Sequence, residues 1–337
     1  MTTRTFPLQQ WYVAAKAAEV GRSPLGRTIC NEPLVMFRRQ DGTLAVLDDR
    51  CPHRLYQLSK GAVVGDEIEC GYHGLRFDGA GACTHIPAQG KIPSRFGVRS
   101  FPAVERSGLV FVFMGDAARA DPATIPDFAE NVAPGWTPVG GYRLVEANYQ
   151  LVIDNLLDLT HLTFVHKTTL AGPGIQENPL VVTVDGDKVH ARREMPNVAP
   201  APIFRIMRDF GAAIDRYQNI TFLPPNHVHI RIDATPPGAR DDPDRVHHVV
   251  LNHLTPETER TTHYFWSVAR RMRLDDATVS HKLYEMNRAA FEEDAEVLRH
   301  QQKMIDRDPS GALANLDADK AIAAARRIVR GMVEAEG

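Results

Sequence analysis

The sequence has no run of about 18 to 20 apolar residues that would cross a bilayer as a helix. Its first residues, MTTRTFPLQQWYVAA, also lack the uninterrupted apolar stretch of a secretory signal peptide. Positive charge is not in excess, because 39 Lys and Arg residues are set against 42 Asp and Glu residues. We therefore expect a cytoplasmic protein that binds neither a membrane nor the phosphate backbone of nucleic acid.

Cysteine is scarce as well, with only four in 337 residues: Cys30, Cys51, Cys70 and Cys83. Because no export signal places them in an oxidising compartment, metal ligation is favoured over disulfide formation. Among the fourteen histidines, His53, His73, His161 and His166 lie at ligand-like spacing from a cysteine or another histidine. These four histidines, with Cys51 and Cys70, are the first candidates for metal-binding chemistry.

The length favours two domains. Short β-rich runs separated by turn signals between residues 29 and 113 predict an all-β domain, and the Pro- and Ala-rich stretch 116–138 is a candidate connector. We expect domains at 1–120 and 121–337. The second has β-rich segments at 181–193, 216–234 and 246–267 and helical patterns at 149–166 and 278–304. The predicted fold class is α+β, with an antiparallel sheet and helices in the second domain.

Two short segments each combine one cysteine with one histidine, Cys51-Pro-His53 and Cys70-Gly-Tyr-His73. Two thiolates on one iron and two imidazoles on the other form the ligand set of a Rieske [2Fe-2S] cluster. A structural zinc site uses the same ligand types, but zinc sites generally pair Cys with Cys and His with His. Unrelated buried residues are the third alternative. The mixed pairs favour the iron–sulfur cluster.

A second group of ligand types lies in the segment NLLDLTHLTFVH at 155–166. Asp158 and His161 are three residues apart and share one face of the predicted helix, with His166 rather more than one turn further along. Two imidazoles and one carboxylate leave coordination positions open at an iron that binds O2. The alternative for the two histidines is an ordinary role in the core.

The third ligand of such an iron is expected in the predicted helix at 278–304, whose acidic candidates are Glu292, Glu293, Asp294 and Glu296. An apolar stripe on this helix is marked by Leu283, Met286, Ala290, Val297, Leu298 and Gln301. At about 100° per residue Asp294 falls nearest the centre of the stripe. A carboxylate there is costly unless it meets a cation or a metal. We predict His161, His166 and Asp294 as metal ligands; a buried ion pair is the alternative.

Together these motifs resemble those of Rieske non-haem iron oxygenases. CPHR at 51–54 and CGYHGLRFD at 70–78 are similar to the two cluster-binding loops of that family, NLLDLTHLTFVH to its iron-binding motif, and FEEDAEVL at 291–298 to the segment with the third iron ligand. The resemblance covers nearly the whole chain. Length and motif spacing are most similar to the group that includes vanillate O-demethylase, dicamba O-demethylase and toluenesulfonate methyl-monooxygenase.

The resemblance implies a [2Fe-2S] cluster on Cys51, His53, Cys70 and His73, a mononuclear Fe(II), and O2 as co-substrate. It also implies a partner reductase that carries flavin and an iron–sulfur cluster and takes electrons from NAD(P)H. In this family a homotrimer places the cluster of one subunit beside the iron of the next, and an aspartate links them. That role corresponds to Asp158, which we expect to act in catalysis together with Asn155.

The substrate expected from this resemblance is a small aromatic acid. Candidates to bind its carboxylate or sulfonate are Arg205, Arg208, Arg216, Asn219, Arg231 and His253. We favour His253, Asn219 and Arg216; a solvated or ion-paired surface position is the alternative for each.

The predicted reaction is hydroxylation of a methyl or methoxy carbon, which in the second case releases formaldehyde. A ring-hydroxylating dioxygenase that forms a cis-diol would share every metal ligand. Two further classes are an electron-transfer protein of the Rieske type, which would leave the motif at 155–166 without use, and a zinc-stabilised interaction protein. The sequence does not distinguish demethylation from methyl or ring hydroxylation, and it identifies neither the substrate nor the reductase.

Overall fold

The computed structural model describes residues 5–87, 89–94, 96–167, 170, 172–311 and 313–336. Ten strands lie in the N-terminal part: β1 (Trp11–Lys16), β2 (Leu25–Ile29), β3 (Glu32–Arg38), β4 (Leu44–Asp48), β5 (Ala62–Val64), β6 (Glu67–Glu69), β7 (Arg76–Phe77), β8 (Cys83–His85), β9 (Ala103–Arg106) and β10 (Leu109–Phe113). They form three antiparallel sheets, in the orders β1-β10-β9, β2-β3-β4 and β5-β6-β7-β8. Aromatic and β-branched residues dominate β1 (WYVAAK) and β10 (LVFVF), which suits buried strands.

The second part is built on one antiparallel sheet of seven strands: β11 (Thr137–Val145), β12 (Val181–Asp185), β13 (Lys188–Val198), β14 (Ile214–Leu223), β15 (His227–Thr235), β16 (Val246–Thr258) and β17 (Thr261–Arg270). The spatial order is β11-β17-β16-β15-β14-β13-β12. The last six strands form three hairpins, and each β-rich segment predicted from the sequence falls within one of them. The α+β prediction is therefore confirmed.

Within the described residues, five helices accompany this sheet: α1 (Tyr149–Leu157), α2 (Leu162–Val165), α3 (Pro202–Met207), α4 (Ala277–Arg307) and α5 (Lys320–Glu334). The helix predicted over 149–166 is interrupted at Asp158, so that prediction was wrong in part. Asp158 is extended (φ −114°, ψ 98°), and its carboxylate accepts hydrogen bonds from the amide and hydroxyl of Thr160, each at 2.9 Å. These local bonds begin a new 3-10 turn (Leu159–His161) in place of the next helical turn.

The long helix α4 is capped at its N-terminus by Asp276, whose carboxylate accepts a hydrogen bond from the amide of Val279. Its inward face differs from the predicted stripe, because Val297 is 44% exposed and Gln301 is also exposed. The buried positions are instead Val279, Leu283, Asn287, Ala290, Phe291, Asp294, Ala295, Leu298 and Gln302. Asp294 lies within this face, as predicted.

The seven-stranded sheet is covered on both faces. On one face α1, α3 and α4 pack on side chains such as Ile230 and Trp266. On the other face Val249, Leu251 and Phe265 share a hydrophobic cluster with residues of β1, β10 and the connector: Trp11, Val13, Leu109, Phe111, Phe113, Ile125 and Phe128. The connector is therefore part of the core between the two halves.

Backbone hydrogen bonds also join the halves. The amides of Cys30 and Asn31, at the β2–β3 turn, donate to the carbonyls of Pro256 and Glu257 at 2.8 and 2.9 Å. No helix in the described ranges combines the length and the apolar character needed to span a bilayer.

Candidate active site with two metal centres

The two loops that carry the predicted cluster ligands share one backbone conformation. In the first loop the amide of Cys51 donates to the carbonyl of Tyr56 at 2.9 Å, and the amide of Leu55 donates to the carbonyl of Cys51 at 2.8 Å. The same two bonds occur at 2.7 and 3.0 Å in the second loop, with Cys70 in place of Cys51. The residue four positions after each cysteine has positive φ, 55° at Leu55 and 71° at Gly74.

These loops bring two buried thiols beside two imidazoles. Cys51 and Cys70 are 1% and 2% exposed, and the ring centroids of His53 and His73 lie 4.4 Å apart. Nδ1 of His53 is buried and has no hydrogen-bond partner among the described residues. Burial raises the pKa of the Cys51 thiol to about 11, so its thiolate form requires a nearby cation. The donors fit a cluster with two thiolate and two imidazole ligands.

The second centre lies between the α1–α2 segment and α4. Nε2 of His161 and Nε2 of His166 lie 3.4 and 3.1 Å from Oδ1 of Asp294. Asp294 is 5% exposed and has no Lys or Arg partner among the described residues. Its burial beside two imidazole nitrogens fits a site for one divalent metal ion.

Each histidine of this centre is oriented by a partner at its other ring nitrogen. Nδ1 of His161 donates to the backbone carbonyl of Asp158 at 2.6 Å, and Nδ1 of His166 donates to Oε2 of Glu293 at 2.7 Å. Both Nε2 atoms are thereby left to accept a metal on the side of Asp294. The carbonyl is neutral and the carboxylate is charged, so the two histidines have unequal support.

The two histidines also differ in the direction of their pKa shifts. Burial lowers the pKa of His161 by more than the nearby Asp294 raises it. Burial also lowers the pKa of His166, but Asp294 and Glu293 outweigh it, so the pKa of His166 is raised overall. A bound divalent cation would replace the proton that the two carboxylates favour on His166.

Asn155 and Asp158 each form a hydrogen bond with one residue of this centre. Nδ2 of Asn155 donates to Oδ1 of Asp294 at 3.1 Å, so Asn155 holds the oxygen that faces both histidines. Asp158 orients His161 through its carbonyl, whereas its half-buried carboxylate points to Thr160.

A cavity extends from this centre to the seven-stranded sheet. Its helical wall contains the triad with Asn155, Leu156, Leu159, Leu162, Asn287 and Phe291, and α3 contributes Ile203 and Phe204. Its floor is formed by residues of three neighbouring strands: Arg216, Gln218, Ile230, Ile232, His248 and Val250. The cavity is mostly apolar, and its few polar groups lie at the triad and on the sheet.

Of the substrate-binding candidates predicted from the sequence, the structure brings only Arg216 to this cavity. Asn219 follows Gln218 on β14, so its side chain points to the opposite face of the sheet. His253 also faces the other way, and its Nδ1 lies 3.0 Å from Nδ1 of His227 in the core between the two halves. Neither reaches the triad.

The remaining arginine candidates lie outside the cavity. Arg205 is exposed on α3. Arg208 pairs with Asp242 at 2.6 Å, and Arg231 pairs with Glu130 at 2.8 Å.

Three residues of the site were missed by the sequence analysis: Gln218, Glu293 as the partner of His166, and His248. Two of them could have been found from the alternation of side chains along a strand. Gln218 and His248 lie an even number of residues from Arg216 and Val250 and therefore face the same side as these cavity residues.

Comparisons with known proteins match this architecture. Residues 10–102 match the family model of the Rieske [2Fe-2S] domain, and residues 145–335 match that of the vanillate O-demethylase oxygenase C-terminal domain. The vanillate O-demethylase oxygenase subunit of a Pseudomonas species is 38% identical over 91% of this chain and 96% of its own length. The toluene-4-sulfonate monooxygenase iron–sulfur subunit TsaM1 of Comamonas testosteroni is 35% identical over 97% of this chain and 96% of its own.

Solved structures agree with these matches. Dicamba monooxygenase bound to 3,6-dichlorosalicylic acid superposes with a TM-score of 0.94 at 34% identity, over 98% of this chain and 99% of the other. Another crystal structure of dicamba monooxygenase contains non-haem iron and dicamba. The predicted family and its two iron cofactors are thereby confirmed. The chain belongs to the Rieske non-haem iron oxygenases and is the oxygenase component of an aromatic monooxygenase.

Proposed function

We propose that this enzyme hydroxylates the methyl or methoxy carbon of a small aromatic acid, with O-demethylation as the favoured reaction. The observation that carries the proposal is the mostly apolar cavity that opens directly onto the ligand atoms of His161, His166 and Asp294. Such a cavity suits one aromatic ring. Vanillate and toluene-4-sulfonate, the substrates in the names of two relatives, are both anions with a single ring.

We assign the metal ligands as follows: Cys51, His53, Cys70 and His73 to the [2Fe-2S] cluster, and His161, His166 and Asp294 to the mononuclear iron. When bound, these groups supply single electrons and a site at which O2 is activated. Glu293 and the carbonyl of Asp158 hold the two imidazoles in the tautomer that leaves Nε2 free for the metal. Asn155 donates to Asp294 and fixes its carboxylate.

The apolar walls orient the substrate and exclude water. Leu156, Leu159, Leu162 and Phe291 line the helical wall beside the triad, where the reacting carbon would lie. Overall, a methoxyarene, O2, two electrons and two protons give water and a hemiacetal, which collapses to formaldehyde and a phenol. An aryl methyl group would give a benzylic alcohol with the same consumption of O2 and electrons.

The electrons require a partner, for which we propose a reductase that carries flavin and an iron–sulfur cluster and oxidises NAD(P)H. We further propose a homotrimer in which Asp158 connects the iron site of one subunit to the cluster site of the next. Exposed apolar residues near both sites suit such a contact: Leu55 and Tyr72 in the cluster loops are 70% and 60% exposed, and Phe164 on α2 is 65% exposed. Sedimentation equilibrium should give the mass of three chains; a stable monomer or dimer would reject the assembly.

The reaction is tested by supplying methoxybenzoates, methylbenzoates and arylsulfonates with NADH, a reductase of this type and ¹⁸O2. We expect substrate-dependent O2 uptake and formaldehyde in equal amount to a phenol that contains no ¹⁸O, because the phenol keeps the oxygen of the methoxy group. A cis-diol with two ¹⁸O atoms would replace this proposal with ring dioxygenation. Absence of O2 uptake with every substrate would reject aromatic oxygenation.

A further inference from the structure

Three buried polar side chains on the sheet side of the cavity have atoms that find no hydrogen-bond partner in the described part of the chain. Arg216, Gln218 and His248 are 4%, 1% and 0% exposed. Nε of Arg216, both amide atoms of Gln218 and both ring nitrogens of His248 have no partner among the described residues. An unsatisfied polar group is costly to bury, so three together at one place point to a site that binds a polar ligand.

Strand register places these groups side by side. Gln218 on β14 is paired with Ile232 on β15, and Ile232 is paired with His248 on β16. The three therefore form one row across the sheet, with an aliphatic side chain between two polar ones. Arg216 lies two residues before Gln218 on the same face of β14.

The charge of this group is positive. Among the described residues no carboxylate forms an ion pair with Arg216, and its guanidinium lies over the ring of Phe204, 5.1 Å from the ring centre. Burial and the neighbouring Arg193 lower the pKa of Arg216 to about 10, so it still carries its charge at neutral pH. Burial lowers the pKa of His248 to about 3, so its imidazole is neutral and offers one donor and one acceptor.

We propose that Arg216, Gln218 and His248 form the subsite that binds the anionic group of the substrate. This inference rests on the proposed function and adds that an oxyanion on the ring is required for tight binding. The triad belongs to the helical wall and the subsite to the sheet. A substrate whose carboxylate or sulfonate meets the sheet therefore directs its opposite side to the triad.

Carboxylate and sulfonate both supply oxygen acceptors for the side edge of a guanidinium and for the amide of Gln218. A neutral amide of the same shape lacks the charge and would also bring N–H donors towards a cation. The subsite should thus select by charge as well as by shape.

The test is isothermal titration calorimetry on the full metal-loaded protein without O2, so that no turnover occurs. The ligands are 3-methoxybenzoate, toluene-4-sulfonate and the neutral 3-methoxybenzamide. We expect R216Q to weaken binding of the two anions by about 10- to 100-fold and to change binding of the amide by less than about twofold. R216K keeps the charge and should recover most of the loss for the sulfonate, but less for the carboxylate, which uses the guanidinium fork.

R192Q is the matched control, because Arg192 is exposed on the opposite face of the neighbouring strand β13. It should leave all three affinities unchanged, and the cluster absorbance should show that each variant is folded. Equal binding of the benzoate to wild type and R216Q, or equal binding of benzoate and benzamide to wild type, would overturn the subsite.

Rejection of the subsite can be distinguished from rejection of the proposed reaction. Loss of the charge preference with intact methyl or methoxy oxidation would reject the subsite alone. A charge preference that depends on Arg216, in a protein that oxidises no methyl or methoxy group, would support the subsite and reject the proposed reaction.

Discussion

The two metal-binding regions of this protein are built in opposite ways. The proposed cluster ligands come from two loops that share one turn conformation, and each loop supplies one thiol and one imidazole within four residues. The proposed iron ligands come from two segments that are distant in sequence: His161 and His166 flank α2, and Asp294 is placed by the packing of α4. The first region depends on local backbone geometry, and the second depends on tertiary structure.

The two regions also differ in exposure. His73 is exposed and His53 is half-buried, whereas His166 and Asp294 are 1% and 5% exposed. A group that receives electrons from a partner must be near the surface, while a site that activates O2 must be shielded from water. We therefore expect the two centres to respond to mutation independently of one another.

The sharpest test of that independence is removal of one proposed iron ligand. We expect H161A to lower turnover by at least about 100-fold, since even an indirect partner of a metal ligand is worth 10- to 100-fold. The Rieske absorbance and electron paramagnetic resonance signal should remain. The exposed His300 on α4 provides the control, because H300A should leave both turnover and iron content unchanged. Loss of the cluster signal in H161A would contradict the independence of the centres.

The unequal support of the two histidines gives a second test. Because Glu293 accepts the hydrogen bond from Nδ1 of His166, E293Q should weaken binding of Fe(II) by about 10- to 100-fold, measured by competition with a chelator. The neighbouring Glu292 forms a surface ion pair with Arg143 at 2.5 Å, so E292Q is the matched control and should keep wild-type affinity. Equal iron affinity in E293Q and wild type would show that Glu293 does not position His166.

The two regions should differ in their response to acid. Buried neutral histidines are concentrated in the sheet of the second part, so acid should lower the stability of that part. Burial lowers the pKa of His227 and His248 to about 3 and that of His229 to about 4. The unfolded chain takes up these protons below about pH 6.5 and the folded chain does not. Stability should therefore be full above pH 6.5 and fall by about 1.4 kcal/mol per pH unit for each histidine down to about pH 4.

This loss is measured as the thermal midpoint of unfolding at pH 7, 6 and 5. In H229F the midpoint should decrease less between pH 7 and 5, because one of the buried histidines has been removed. A midpoint that does not change between pH 7 and 5 would mean that these imidazoles can take up protons in the folded protein.

The smallest effect concerns the equivalent turn positions of the two cluster loops. Gly74 has positive φ and its added Cβ would lie 3.1 Å from Pro87, so G74A should cost about 1–2 kcal/mol in unfolding free energy. Leu55 already has an unfavourable φ, so L55G should change stability by less than about 1 kcal/mol. Chemical denaturation checks both; a large loss in L55G would show that the exposed leucine side chain stabilises the loop.

The sequence predicted the local features of this protein well. The Rieske domain was predicted correctly because the proposed cluster ligands lie close together in sequence. Asp294 is buried on α4 as predicted, although Val297 and Gln301 were misplaced on its stripe. The prediction survived because Asp294 is close to the true centre of the buried face. The break at Asp158 was missed because a side chain that bonds to its own backbone leaves no trace in hydrophobic periodicity.

The substrate residues show what could not be predicted. His253 and His248 lie on the same strand, and Asn219 is next to Gln218, yet the members of each pair face opposite sides of the sheet. Which face is the cavity depends on the side that the helices cover. An error of one residue in the register of a strand therefore moves every candidate on that strand to the other face of the sheet. The register is set by pairing between strands that are distant in sequence.

The core between the two halves has a consequence for engineering. Trp11, Phe111 and Phe113 of the electron-receiving half share one hydrophobic cluster with Val249 and Phe265 of the oxygen-activating half. Separating the two halves at the connector would expose an apolar, partly aromatic surface to solvent on each fragment. In a chimera that exchanges one half between relatives, the residues of this cluster in both halves should therefore come from the same parent.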